Sequence, residues 1–282
     1  VKTPYLANQA FLADVANADR SEHCLHLWWL GQSGFLVQWQ GRHLLFDPYL
    51  SDSLTRKYAD TDKPHVRMTE RVIDPADLDF VDVVTSTHNH TDHLDAETLL
   101  PLRRVNPALE IVVPAANQAF VAERLQLPPE RLLPMDAGES VTVGPFTLHA
   151  VPAAHEQLEY DEQGRCRFLG YVAQFGEFHV YHSGDTVRYA GMAERLRAWP
   201  IDVALLPING RAAERRVSGN LFGNEAAELA ADIHARYVIP CHFDMFEFNT
   251  ASPTEFVRCC ESLGQSYHVL QNGERLTILA SS

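Results

Sequence analysis

Short apolar runs punctuated by glycine open the pattern. HCLHLWWLG, GFLVQWQG and RHLLFDPYL are rich in aromatic and β-favouring residues and are broken at Gly31, Gly34 and Gly41. They predict three strands of a β-meander. Ahead of them, residues 4–18 read as a short helix with Tyr5, Leu6, Phe11, Leu12 and Val15 on its buried face. This segment has no continuous apolar run and carries several Asp and Asn residues, unlike a secretory signal. After the meander, TRKYADTDKPHVRMTERV is polar and irregular and reads as a loop.

From Phe80 the period changes. FVDVVTST predicts a strand, AETLLPLRRV a helix, EIVVPA a strand and NQAFVAERLQ a helix. SVTVGPFTLHAVPA and GYVAQFGEFHVYHSG read as hairpins. DVALLPI, GNEAAELAADIHA, RYVIPCH and PTEFVRCCESLG continue as strand, amphipathic helix, strand and helix, and SYHVLQNGERLTIL is strand-rich. Hairpins interleaved with βαβ-like steps predict an α/β (α+β mixed) fold of two packed mixed sheets with helices outside. With no repeat or linker in 282 residues, one domain is expected over 1–282, with 1–20 as an N-terminal helical extension.

Charge narrows the partners. The 37 acidic against 23 basic side chains give a net charge of -14. Such a chain has no global attraction to a phosphate backbone, so a small-molecule substrate is expected rather than nucleic acid. No apolar run is long enough to span a membrane. Five cysteines, an odd number with no CxxC spacing, argue against a disulfide framework and for a reducing, cytoplasmic setting.

The chemistry concentrates in His88-Asn-His-Thr-Asp-His-Leu-Asp95, which directly follows a predicted strand. In extended backbone His88 and His90 point the same way. Asp92 and His93 follow where a helix could begin. Imidazole and carboxylate together suit Zn, Mn or Fe. Three other strand-like segments end on ligand-type residues: TLHAVPAAHE at His155, FHVYHSGDT at Asp185 and RYVIPCHFD at His242. Together they supply two metal sites: His88, His90 and His155 in one, Asp92, His93 and His242 in the other, with Asp185 between. His182 sits beside Asp185, where its ring faces either the site or the sheet. Tyr189 follows on the next loop, and with His182 it is a candidate substrate-binding residue. Asn209 and Arg211 directly follow DVALLPI and read as pocket lining, whereas Arg215 and Arg216 read as solvated loop. Trp28 and Trp29 read as core.

These residues resemble the metallo-β-lactamase superfamily of metallohydrolases from about Leu25 onward. LWWLGQSGFLV, DPYLSDS, YHSGDT, LLPINGR and VIPCHFDMF resemble its L-ascorbate-6-phosphate lactonase-like branch. The resemblance implies a four-layer αββα sandwich, two divalent ions (Zn or Mn) with a hydroxide between them, Asp92 as the catalytic proton acceptor, and a homo-oligomer. It implies hydrolysis of a small lactone, with a sugar-derived, phosphorylated one among the candidates. Alternatives are a small-molecule phosphodiesterase, then a nuclease or a metal-binding protein without catalysis. The oxidoreductase branch carries a carboxylate where His90 stands here.

Overall fold

A computed structural model describes residues 1–280. The chain runs through α1 (Asn8–Ala16), β1 (Cys24–Gly31), β2 (Gly34–Trp39), β3 (Arg42–Phe46), α2 (Ser53–Lys57), β4 (Val83–Thr85), α3 (Ala96–Val105), β5 (Glu110–Pro114), α4 (Gln118–Leu125), β6 (Leu133–Met135), β7 (Ser140–Val143), β8 (Phe146–Pro152), β9 (Leu169–Phe175) and β10 (Phe178–His182). It continues through α5 (Met192–Leu196), β11 (Val203–Pro207), α6 (Gly223–Asp232), β12 (Tyr237–Cys241), α7 (Thr254–Leu263) and β13 (Arg275–Leu279). The seven-stranded sheet has the order β13-β1-β2-β3-β4-β5-β6, and the six-stranded sheet β12-β11-β10-β9-β8-β7. Both are mixed. β13 to β3 pair antiparallel and β3 to β6 parallel; β12 to β10 pair parallel and β10 to β7 antiparallel.

Side-chain alternation assigns each face its layer. Along β1, Leu25, Leu27 and Trp29 enter the core shared with the second sheet, alongside Phe146, Leu148 and Tyr171. Trp28 and Leu30 point the other way, into a second core with Phe11 and Val15 of α1, Leu99 and Leu102 of α3 and Val121 of α4. The outer face of the second sheet is covered by α6 and α7. They approach so closely at Gly223 that a Cβ there would lie 2.8 Å from the Phe256 backbone nitrogen. The four layers are those expected from the mixed strand and helix pattern.

Some elements are shorter than their sequence pattern. FVDVVTST forms ladder pairs only at Val83–Thr85. The N-terminal helix spans Asn8–Ala16; Phe11 and Val15 are buried, but Tyr5 is exposed. The polar segment after Leu50 contains α2, and most of SYHVLQNG lacks strand pairing beyond a bridge from Val238 to Tyr267. The five cysteines are free. Among the described residues no helix is long and apolar enough to cross a membrane.

The α1 layer carries a pH sensitivity. His43 is buried beside Phe80, and Gln38 Nε2 lies 3.3 Å from its Nε2. Burial pushes its pKa down to about 4 against the opposing pull of Asp82. The unfolded chain takes a proton near pH 6.5 that the folded chain refuses until about pH 4. His43 therefore leaves stability intact above about pH 6.5 and removes up to about 3 kcal/mol as pH falls through that window. In urea unfolding, His43→Gln should lose less stability than wild type between about pH 7.5 and about pH 4.5. Parallel losses would clear His43 of any part in acid lability.

Candidate metal centre

Strand ends from both sheets meet at the HNHTDHLD segment. His88, His90, Asp92 and His93 lie in the turn between β4 and α3. His155 follows β8, Asp185 follows β10 and His242 follows β12. Gly184 lets the Asp185 turn come close: its φ is +61°, and a Cβ there would sit 2.7 Å from Thr87 Cβ and 2.8 Å from the Leu169 carbonyl oxygen. Gln32, Asp47 and His242 also hold left-handed backbone, at φ 49°, 36° and 60°. Such conformations cost energy for non-glycine residues and collect where surrounding structure enforces a site.

Hydrogen bonds decide which nitrogen each imidazole presents. His93 Nδ1 lies 2.8 Å from Asp47 Oδ2, and an ionised carboxylate only accepts, so Nδ1 carries the proton. His155 Nδ1 donates to the Gly219 carbonyl at 2.9 Å. Thr87 Oγ1 gives its proton to Asp47 and so accepts from His88 Nδ1 at 3.1 Å. Three rings are thereby turned so that Nε2, not Nδ1, faces the cluster. The buried His88 Nε2, His93 Nε2 and Asp185 Oδ1 have no hydrogen-bond partner.

These bare atoms converge. Ligand atoms of His88, His90 and His155 lie within 4.8 Å of one another, and so do those of Asp92, His93 and His242. Asp185 stands between the groups, 3.2 Å from His93 Nε2, 3.3 Å from His242 Nε2 and 3.6 Å from His155 Nε2. Lone pairs facing carboxylate oxygens in a buried site repel unless a cation lies among them. The donor set fits divalent metal on this ground, and imidazole with carboxylate suits a first-row ion.

Electrostatics agree with that fit. Burial works against a charge on His93, yet Asp185 and Asp92 hold its pKa well above the ordinary range. His242 is raised to about 9 against burial, again by Asp185 and Asp92. The carboxyls of Asp92 and Asp185 are held low by these histidines despite their burial. Protons thus occupy positions that metal would take, and ligation would release them. Burial and neighbouring imidazoles lower His88 and keep it neutral, while burial lowers His90 against the pull of Asp92.

Two supporting residues escaped the sequence reading. Asp47, at the end of β3 in FDPYL, accepts from Thr87 N, Thr85 Oγ1 and His93 Nδ1. Gln32 Nε2 donates to Asp92 Oδ2 at 2.7 Å and lies 3.1 Å from His242 Nε2. Its carbonyl accepts from His242 N at 2.9 Å. Asp47→Ala would free the His93 ring and should weaken metal affinity about 10- to 100-fold. Competition with a chelator measures this; unchanged affinity would remove Asp47 from the support of the centre.

A cavity of about 400 Å³ opens over the cluster. The four residues expected to line it lie elsewhere. His182 is buried in the sheet, donating Nε2–H to Ser33 O at 2.7 Å and stacking on Phe46. Tyr189 donates its hydroxyl to Pro152 O at 2.7 Å. Asn209 is buried between Asn220 and Asn249. Arg211 is held bidentate by Glu225, both bonds 2.7 Å, over the ring of Phe222. Their polar groups are already satisfied by protein. The cations that do line the cavity are Lys57, Arg124 and Arg216. Arg216, read from sequence as solvated, pairs with Asp62 at the rim, and Arg215 braces Asn209 O and Thr250 O.

Residues 42–243 match the beta-lactamase superfamily domain, and the chain belongs to that superfamily. It is 30% identical over 260 residues to a UPF0173 metal-dependent hydrolase of Methanopyrus kandleri, covering 89% of this chain and 98% of that protein. Its identity to a UPF0173 metal-dependent hydrolase of Saccharolobus solfataricus is 25% over 254 residues, covering 89% and 98%. The solved structure of an isothiocyanate hydrolase from Delia radicum gut bacteria shares the fold: TM-score 0.71 at 16% identity, covering 91% of this chain and 100% of that one.

Proposed function

We propose that the protein is a metal-dependent hydrolase holding two divalent ions, Zn or Mn, and acting on a small anionic lactone of the kind its lactonase-like motifs suggest. The observation that carries this reading is the pair of three-ligand groups with Asp185 between them, at the base of a cavity lined by cations. His88, His90 and His155 would hold one ion, Asp92, His93 and His242 the other, and Asp185 would touch both. Bound metal supplies a water acidic enough to be a nucleophile near neutral pH and polarises the carbonyl under attack.

The chain's own residues do the rest. Asp92 is ionised and reaches the cavity, so its carboxylate accepts the proton that the attacking water gives up and returns it to the leaving oxygen. Gln32 fixes the orientation of Asp92 through its 2.7 Å bond. Arg124 donates one guanidinium nitrogen to the carbonyls of Asn89 and Leu94, and among the described residues it forms no salt bridge. With Lys57 it gives an acidic protein a locally positive mouth, which suits an anionic substrate.

The test is a screen of Zn- and Mn-loaded protein across lactones, phosphodiesters and thioesters. Lactones turned over fastest would support the reading. Phosphodiesters turned over fastest would replace it with a small-molecule phosphodiesterase, which the same cations would serve.

A further inference from the structure

The wall of the cavity formed by the segment after α2 contains a histidine that the metal cluster does not use. His65 lies flat on Tyr58, ring centroids 4.2 Å apart and planes 18° apart. Phe248 and Phe246 close on its edges at 4.4 Å and 5.1 Å. These four aromatic rings all line the cavity. The ring is therefore locked by packing on three sides, and its tautomer is also fixed. Nδ1 lies 3.2 Å from the Lys63 carbonyl oxygen, which can only accept, so Nδ1 bears the proton. Nε2 is left with a lone pair, and no described residue hydrogen-bonds to it. Burial lowers the pKa of His65 against the opposing pull of the Lys63 bond and of Asp92, so the ring is neutral and Nε2 stays an acceptor.

A rigid aromatic wall with an immobilised imidazole acceptor is matched by a ligand with C–H faces and a hydroxyl. We propose that His65 is a specificity-determining residue, whose Nε2 accepts a hydrogen bond from a substrate hydroxyl while the sugar-like ring packs against the aromatic wall that His65 shares with Phe246 and Phe248. The inference rests on the lactone reading and deepens it: it assigns to His65 the recognition of a hydroxyl that a sugar-derived lactone would carry. The recognition needs no covalent step. It costs little ordering on the protein side, because stacking and the Lys63 bond already hold the imidazole in place.

Two lactones with the same six-membered ring separate the contributions. δ-Gluconolactone carries hydroxyls and δ-valerolactone carries none. A neutral hydrogen bond contributes about 3- to 10-fold in kcat/KM. His65→Phe in the metal-loaded protein should lose that factor on δ-gluconolactone, mainly in KM, and leave δ-valerolactone within about twofold. His65→Gln keeps an acceptor and should recover most of the loss. Equal losses on both lactones would make His65 structural, and no loss on either would remove it from the site. Binding of D-gluconate by calorimetry needs no turnover and keeps the two readings apart. If neither lactone is hydrolysed but gluconate binds more weakly to His65→Phe by the same factor, the lactone reading falls and the recognition stands. If gluconate binds both proteins equally, or binds neither, the recognition falls.

Discussion

Asp92→Asn, loaded with metal, should turn over its substrate about 10²- to 10⁴-fold more slowly than wild type while keeping its fold. The side chain stays the same size, and Gln32 still has an amide oxygen to which it can donate. What disappears is the negative charge held among His93 and His242, and with it the proton acceptor. An amide is also a weaker ligand, so metal content must be matched before rates are compared. Both carboxylates line the cavity, but the Asp92 side chain is 17% exposed against 4% for Asp185. This is why Asp92 is assigned the proton and Asp185 the place between the ions. Near-normal turnover by the metal-loaded variant would end the catalytic assignment.

The double change His88→Ala, His90→Ala should have the larger effect on composition. It removes two of the three converging ligand atoms in one group and leaves Asp92, His93 and His242 in the other. Elemental analysis should show about one ion fewer per chain. Metal polarisation of a reacting carbonyl is worth several kcal/mol, so activity should fall by about 10³-fold or more. Retention of the full wild-type metal content would show that these histidines are not ligands. A change at His90 alone is less decisive, because its ring is more exposed and water can fill the position.

The fold and the metal cluster were legible for different reasons. The strands around Trp28 and Trp29 announce themselves through aromatic and branched residues on both faces, because each face of β1 meets its own core. FVDVVTST was overread because β-favouring residues continue past the last ladder pair, where the backbone already turns toward His88. The seven ligand-type residues stood out because each lies in or just past a strand end, a relation local enough to read along the chain.

The residues that support or line the site are not local. Asp47 meets His93 across 46 positions, and Gln32 meets Asp92 across 60. Arg211 looked like a free cation because its partner, Glu225, is brought round only by the start of α6. His65 sits in a polar run whose composition says loop. Its significance comes from Tyr58 and Phe248, which the tertiary fold sets against it.

The ligand-type residues run from His88 to His242 and are divided between the two sheets, with the HNHTDHLD turn on one and the ends of β8, β10 and β12 on the other. No single hairpin or βαβ unit can assemble the centre by itself. A half-folded chain with one sheet formed would hold at most four of the seven groups. High-affinity metal capture would therefore be a late event in folding, after the sheets have docked. A bound ion would then act as a clamp on the docked state, deepening its stability in proportion to the logarithm of free metal over Kd. Stripping the ions should loosen the seam between the sheets first and leave the meander intact.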